Sequence, residues 1–521
     1  MKIRKLLWGT LAVTVLWACD PNEPVSTYVN TAPVVKDHSF SAKEDISDTQ
    51  IIGTVTAKDE VDHDKITFSI RTNDDDLFEI SPSGNLSLAQ GKHLDFETAE
   101  EHTITIMAHD GIVGRYAEVT IAVEDVEPEP DSPTITLNKE SLELYTMNTE
   151  TLTATVTNAE GLEIVWTSDN EEVATVDETG NVTAVEPGTA TITAKLGKTT
   201  TTCTVVVNPN VYVAGTIEPI YDVSEATYWK NGMGQELPDE SITSSTKSIY
   251  VDGTDVYVAG YHKNANDVWV ATLWKNEVPQ ELSDGTKNSY AQSVVVKDSN
   301  IYVAGMKKNA NDQFVATLWI NGEAQALSDG NTHAFANSIY INQGDLYVVG
   351  IVNNGTNSVA TLWKNGIATD LSGGLSSSIA NSVYVDGSDV YVVGYQKNVN
   401  DIWEATLWKN GLAEKLPDQN AGSEAGSIFI KANNVYVSGY VRNASNILVA
   451  TLWLNGNPIA LSDGTANAHA ASVYVDGDNV YVAGYLKNIN DIWTATLWKN
   501  GVAEYLSDGT IDTYVSSLFV K

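Results

Sequence analysis

The chain has 521 residues, 42% hydrophobic and 19% charged, with 68 Asp/Glu against 30 Lys/Arg and a formal net charge of −38. That apolar content supports packed cores and excludes a wholly disordered chain, and the length holds about three domains at roughly 150 residues each. The charge argues against nucleic acid and anionic lipid headgroups as partners and suits cations, basic surfaces or neutral glycans. With two cysteines, Cys19 and Cys203, disulfides do not staple the fold.

Lys2, Arg4 and Lys5 precede an apolar run from Leu6 to Ala18, which reads as a secretory leader too short to span a membrane comfortably. It ends in Leu16-Trp17-Ala18-Cys19, which resembles a bacterial lipobox. The resemblance implies removal of residues 1–18 and lipidation of Cys19, so that the membrane is met through lipid alone, in an outer-membrane lipoprotein exposed at the cell surface. The alternative is an ordinary cleaved leader that leaves Cys19 a simple thiol. Residues 19–29 read as a polar tether.

Residues 30–127 are the most acidic part. Between Asp20 and Asp131 there are 25 Asp/Glu against 7 Lys/Arg, a net of −18. Alternating runs (ITFSI, NLSL, HTITIMA, AEVTIAVE) with a turn at Pro82-Ser83-Gly84-Asn85 predict an all-β sandwich. Asn30-Thr31-Ala32-Pro33, Glu44, the stretch Val55–Ile70, Leu94-Asp95-Phe96-Glu97, Ala108-His109-Asp110-Gly111 and Val123-Glu124-Asp125 together resemble a cadherin repeat. The resemblance implies Ca2+ bound by hard oxygen ligands, Glu44, Asp95, Glu97 and Asp125 forming one half-site and Asp62, Asp64 and Asp110 the other. Asp125 runs into Val126-Glu127-Pro128 instead of the family's linker, and no second such repeat adjoins, so the expected affinity is weak, ~10⁻⁴–10⁻³ M. A solvated acidic sandwich without metal is the alternative.

After Pro128, Pro130 and Pro133, a stiff hinge, residues 132–208 carry Val165-Trp166-Thr167-Ser168-Asp169, Ala174-Thr175-Val176-Asp177, Gly180-Asn181-Val182-Thr183-Ala184 and Pro187-Gly188-Thr189-Ala190. These are short β-branched strands broken by turns, and they closely resemble the group 2 bacterial Ig-like domain. The resemblance implies a β-sandwich acting as a rigid spacer, with Trp166 and Cys203 as core residues.

Residues 211–521 repeat. A tyrosine recurs at Tyr212, Tyr257, Tyr302, Tyr347, Tyr391, Tyr436 and Tyr481, and a tryptophan at Trp229, Trp274, Trp319, Trp363, Trp408, Trp453 and Trp498, both at steps of 45, 45, 45, 44, 45 and 45. Seven strand-and-turn units of this length predict a seven-bladed β-propeller. Four strands are read in each unit: SVYV-like, VYVAG-like, ATLWKNG-like and a short outer strand. The VYVAG strand is apolar on both faces, as a strand covered on both sides must be. The first unit lacks a first strand and Ser517-Leu518-Phe519-Val520 has none after it, so the last strand is expected to complete the first blade. The units also resemble the Ala-x-Leu-Trp-x-x-Gly repeats of bacterial extracellular HAF-type proteins.

No nucleophile–base pair, metal spacing of His or Cys, or phosphate loop stands out, so the chain reads as no enzyme. The recurring Asn-x-Asn-Asp segments read as hairpin turns. The segments leading into each first strand vary most, and Tyr290, His333, Phe335, His469 and Tyr514, expected exposed in loops near a central channel, are the candidate ligand contacts. The expected function is a lipid-anchored adhesion or binding protein whose propeller meets an extracellular protein or glycan. Alternatives are a propeller glycoside hydrolase or lyase acting on extracellular polysaccharide and a purely structural surface component.

Overall fold

The computed structural model describes residues 30–61, 64–126, 133–159, 161–220, 223–238, 243–418 and 422–521. The leader, Cys19 with its tether, and Asp62 lie outside the described residues. Among the described residues there is no α-helix; one 3₁₀ turn, Asp74–Asp76, interrupts an otherwise all-β chain. None of the elements is a helix long and apolar enough to cross a membrane. The chain divides into two compact units, Met1–Thr134 and Ile135–Lys521.

In the first unit a four-stranded sheet, in the order His38–Lys43, Gly114–Glu124, Glu101–His109 and Thr67–Thr72, packs on a three-stranded one of Ile51–Thr54, Asn85–Leu88 and Phe78–Ile80. Period-two alternation makes this possible. Ile104, Ile106 and Ala108 on one strand and Ala117, Val119, Ile121 and Val123 on its neighbour point inward, while the residues between them stay wetter. One pairing is parallel: His38 lies opposite Val119 and Lys43 opposite Glu124. The first and last strands therefore end at the same edge, which positions the acidic site described below.

The second unit opens with another sandwich. Its four-stranded sheet runs Ser141–Tyr145, Thr199–Asn208, Gly188–Leu196, Ile164–Ser168, and the facing sheet is Thr149–Thr151, Asn181–Ala184, Ala174–Val176. Trp166 is half-buried against this core, and Cys203 is fully buried, its thiol pushed up by burial. Both are packing residues.

Seven four-stranded antiparallel sheets follow, none closed on itself. The second shows the plan: Ser244–Asp252, Asp255–Lys263, Trp269–Lys275 and the exposed Val278–Glu281, in sequence order. The first sheet is completed by the last strand of the chain, Asp512–Val520, paired antiparallel with Val211–Ile220. Each sheet packs on the next through its repeated indole. Trp274 sits among first- and second-sheet residues, Trp319 among those of the second and third, and Trp229 joins the first sheet to Tyr481, Ala483 and Leu497 of the seventh. Six of the seven tryptophans are 0–1% exposed and Trp229 is 4%. Burial on both faces explains why the second strands are apolar throughout.

The first strand of each repeat unit begins earlier than the sequence suggests. It starts at Ser244, not Ser248, because a β-bulge at Lys247 shifts the register between Thr246 and Ser248 and breaks the alternation. Every sheet has this bulge, at Lys247, Gln292, Asn337, Asn381, Gly426, Ala471 and Ser516. The glycine ending each second-strand motif is its counterpart: a Cβ at Gly260 would run into the Ser245 carbonyl, and one at Gly484 into that of His469.

Candidate functional site

In the first unit the parallel strand pair carries the site. Glu44 follows Lys43 and Asp125 follows Glu124, so two acids 81 positions apart in sequence leave one edge side by side. The Glu44 amide donates to the Glu124 carbonyl at 3.1 Å. Its carboxylate is 6% exposed and accepts from the amides of Phe96 (3.0 Å) and Val126 (2.8 Å), which draws in the segment carrying Glu97. One oxygen each from Glu44, Glu97 and Asp125 then lie within 4.8 Å of one another. The amides of Phe96 and Val126 hold the Glu44 carboxyl below its ordinary value, against burial and the charge of Asp95.

Two oxygens bound to one calcium ion at 2.3–2.6 Å stand at most about 5 Å apart, so this trio fits that ion, leaving further ligands to carbonyls and water. Asp95, grouped with them in the sequence, is turned to Thr98, whose amide and hydroxyl donate to it at 3.1 and 2.8 Å.

Of the other expected half-site, Asp62 lies outside the described residues, which include Asp64 and Asp110. Asp110 is 8% exposed and accepts from the amides of Ile112 and Val113 (both 2.7 Å) and the side chain of Asn30 (2.8 Å). Burial raises its carboxyl, but these donors outweigh burial and hold it below the ordinary range. Asp64 lines a cavity of about 680 Å³ with Asp59 and Glu60. Asp59, 8% exposed and accepting from the Val61 amide at 3.3 Å, is an acid the sequence reading passed over. The acidic run Asp59-Glu60-Val61-Asp62 that it opens was the signal for it.

In the repeats, Tyr290, Phe335, His469 and Tyr514 are neither in loops nor fully exposed. They lie within the first-strand segments and occupy one equivalent position, which Ser245, Ile379 and Glu424 fill in the other three sheets. Polar strand starts were read as loop because serines there serve the neighbouring sheet. The Ala271 amide donates to Ser289 Oγ and the Ala360 amide to Ser378 Oγ, both at 2.8 Å. His333 precedes its strand and has a related part, its Nδ1 accepting from the Phe314 amide at 3.0 Å.

Tyr290, His469 and Tyr514 line one cavity of about 930 Å³ where the first, second, third and seventh sheets meet; His333 and Phe335 do not. Its walls are aromatic. Tyr290 meets Tyr261 edge-on at 4.8 Å and Tyr261 meets Trp269 at 5.2 Å, while His469 stacks on Tyr485 at 5.3 Å. Burial pushes His469 down to about 4, so its ring is neutral at physiological pH, and its buried Nδ1 meets no hydrogen-bond partner. Lys247, missed in the sequence, lines the same cavity.

The Asn-x-Asn-Asp segments are turns. Asn264 accepts from the amides of Asn266 and Val268 and donates to the Gly285 carbonyl at 3.0 Å, an arrangement repeated at Asn309, Asn443 and Asn488.

A family model for the cadherin domain matches residues 38–124, and one for the bacterial Ig-like domain (group 2) matches residues 132–207. A stretch of 62 residues is 45% identical to an uncharacterized protein of Clostridium acetobutylicum, covering 12% of this chain and 6% of that one. Among solved structures, Drosophila N-cadherin EC1-4 is similar at 18% identity over 34% of this chain and 49% of its own, with a TM-score of 0.21. Human protocadherin-24 EC1-2 is similar at 16% over 34% and 99%, with a TM-score of 0.19. The chain thus carries a cadherin-like domain followed by a bacterial Ig-like domain, binding modules of a kind found on extracellular and surface proteins.

Proposed function

We propose that this is a cell-surface adhesion and binding protein, anchored through lipid on Cys19, in which calcium stiffens the cadherin-like domain and a seven-bladed propeller holds the ligand platform. The observation that carries the calcium reading is the convergence of Glu44, Glu97 and Asp125 within 4.8 Å in a region of net charge −18. Three carboxylates so close repel one another, and a divalent cation removes that repulsion.

The propeller reading is supported by the seven sheets, their tryptophan-centred packing and the contact of the seventh with the first. Strand direction says which end is free. Val211 and Val520 lie at one end of the first sheet, and Glu218 and Asp512 at the other, about 23 Å away at 3.3 Å per residue. At the first end Asn210, 4% exposed, donates to the carbonyl and hydroxyl of Thr146 in the Ig-like domain, and its amide pairs with the Lys521 carbonyl. The cavity opens at the other end, away from that domain. Val399 and Ile489, fully exposed at tips of the Asn-x-Asn-Asp turns, are on the same end.

Calorimetric titration of calcium into the mature chain tests the reading. Saturable heat, lost in Glu97→Gln, is expected; absence of heat at millimolar calcium would refute the metal and leave an acidic module.

A further inference from the structure

We propose that the cavity at the free end of the repeats binds a saccharide bearing a carboxylate, a uronic acid residue of an extracellular glycan. This rests on reading the repeats as the ligand platform and names what the platform takes.

The inference starts from a break in the sevenfold pattern. The bulge residue of each inner strand is unpaired in its ladder, and at Lys247, Ala471 and Ser516 it faces the cavity. The seven bulge residues are Lys247, Gln292, Asn337, Asn381, Gly426, Ala471 and Ser516, and only Lys247 is charged. The amides are used within the fold: Asn337 donates to the Ala380 carbonyl and Asn381 to the Ala425 carbonyl, both at 2.9 Å. Lys247 has no such part. Among the described residues no carboxylate lies within ion-pairing distance, and its ammonium stands 5.5 Å from the Tyr261 ring centroid. In a chain of net charge −38, a cation that faces a cavity and meets no carboxylate among the described residues is a place for an anion from outside.

The walls say what kind. Tyr261, Trp269, Tyr290 and Tyr514 line the cavity with Lys247, Trp269 carrying the Lys263 ammonium 5.4 Å from its ring centroid, and aromatic rings with phenol hydroxyls suit the C–H faces and hydroxyl edges of a sugar ring. A simple inorganic anion would leave these faces unused. Glu218 reaches the same cavity, but burial and the charge of Asp512 opposite raise its carboxyl.

The test is calorimetry on the mature chain with a uronate trisaccharide, maltotriose as the neutral control, and the variants Lys247→Gln and Tyr290→Ala. Gln292 occupies the equivalent bulge, so Lys247→Gln copies a residue the fold already accepts there. The expected result is saturable uronate binding, weakened about ten- to hundredfold by Lys247→Gln, as loss of a charge-assisted contact predicts, and weakened also by Tyr290→Ala. Uronate binding unchanged in Lys247→Gln overturns the proposal. Maltotriose bound equally well, and lost only in Tyr290→Ala, overturns the carboxylate while the platform stands. No saccharide bound at all overturns the proposal together with the glycan platform.

Discussion

The cadherin-like domain and the repeats handle charge in opposite ways. In the repeats one aspartate position is matched by a lysine: Lys275 pairs with Asp255 at 2.7 Å, and Lys364 with Asp345 and Lys409 with Asp389 at 2.8 Å. Each of these ammonium groups also lies over the repeated tyrosine, at 5.2, 5.1 and 4.8 Å from the ring centroid. Such exposed pairs add little stability each, on the order of 0–1 kcal/mol, but each pair balances its own two charges. In the cadherin-like domain Glu44, Glu97 and Asp125 converge on one another instead. Compensated charge belongs to the scaffold, while charge left unbalanced marks a site. In the repeats Lys247 stands outside these pairs, over Tyr261 and facing the cavity.

The largest effect should come from breaking the scaffold. Trp453 is 0% exposed between two sheets and its indole donates to the Pro417 carbonyl at 3.0 Å. Trp453→Ala should cost about 3–5 kcal/mol. In urea unfolding the transition of the second unit should move while that of the cadherin-like domain stays. A shift of both, or of neither, would show that the division by packing is wrong.

How much of this could be read from residues alone follows the same division. The tyrosine and tryptophan spacing revealed seven units because every copy buries the same ring in the same slot. In the cadherin-like domain, Glu44, Glu97 and Asp125 were grouped from motif order, but Asp95, two residues from Glu97, could not be separated from them. Which way its carboxylate turns depends on Thr98, a local hydrogen bond with no sequence period. Lys247 was hidden by the bulge. Residues Ser244 to Thr246 look like loop because their alternation restarts one position later at Ser248, and the Ser244 hydroxyl that suggests a turn is spent on the preceding sheet.

The next effect is at the junction within the second unit. Asn210→Ala removes the donor that now reaches the Thr146 carbonyl at 2.9 Å and its hydroxyl oxygen at 2.7 Å, leaving the hydroxyl its bond to the Lys521 carbonyl at 3.2 Å, and should cost about 1–3 kcal/mol. Proteolysis between residues 208 and 211 should speed up accordingly; unchanged cleavage would mean that strand pairing alone holds the junction.

Acid should weaken the cadherin-like domain through two carboxyls. Glu44 and Asp110 are both held below ordinary carboxyl values in the folded domain. Their contribution is fully present above the unfolded-state carboxyl range of about 3.9–4.3 and is lost as pH falls through the lowered folded values. The cadherin-like domain should lose stability over that acid window, more steeply than an Asp110→Asn variant does. Circular dichroism melts between pH 5 and 2 check this, and parallel slopes for the two proteins would remove Asp110 from the account.

The smallest expected effect on stability is the most pointed. If Lys247 were scaffold like Lys275 or Lys409, its removal would leave an aspartate unpaired and a tyrosine ring bare. Among the described residues its ammonium is held by Tyr261, at 5.5 Å, a cation–π contact worth about 0.5–1 kcal/mol when exposed. Glutamine keeps most of the packing over that ring, and Gln292 shows the bulge accepts it. Lys247→Gln should therefore move the unfolding free energy by no more than about 0.5 kcal/mol in urea titration. A loss well above that would place Lys247 with the scaffold lysines and erase the exception; a neutral result leaves a cation retained in the cavity for something other than folding.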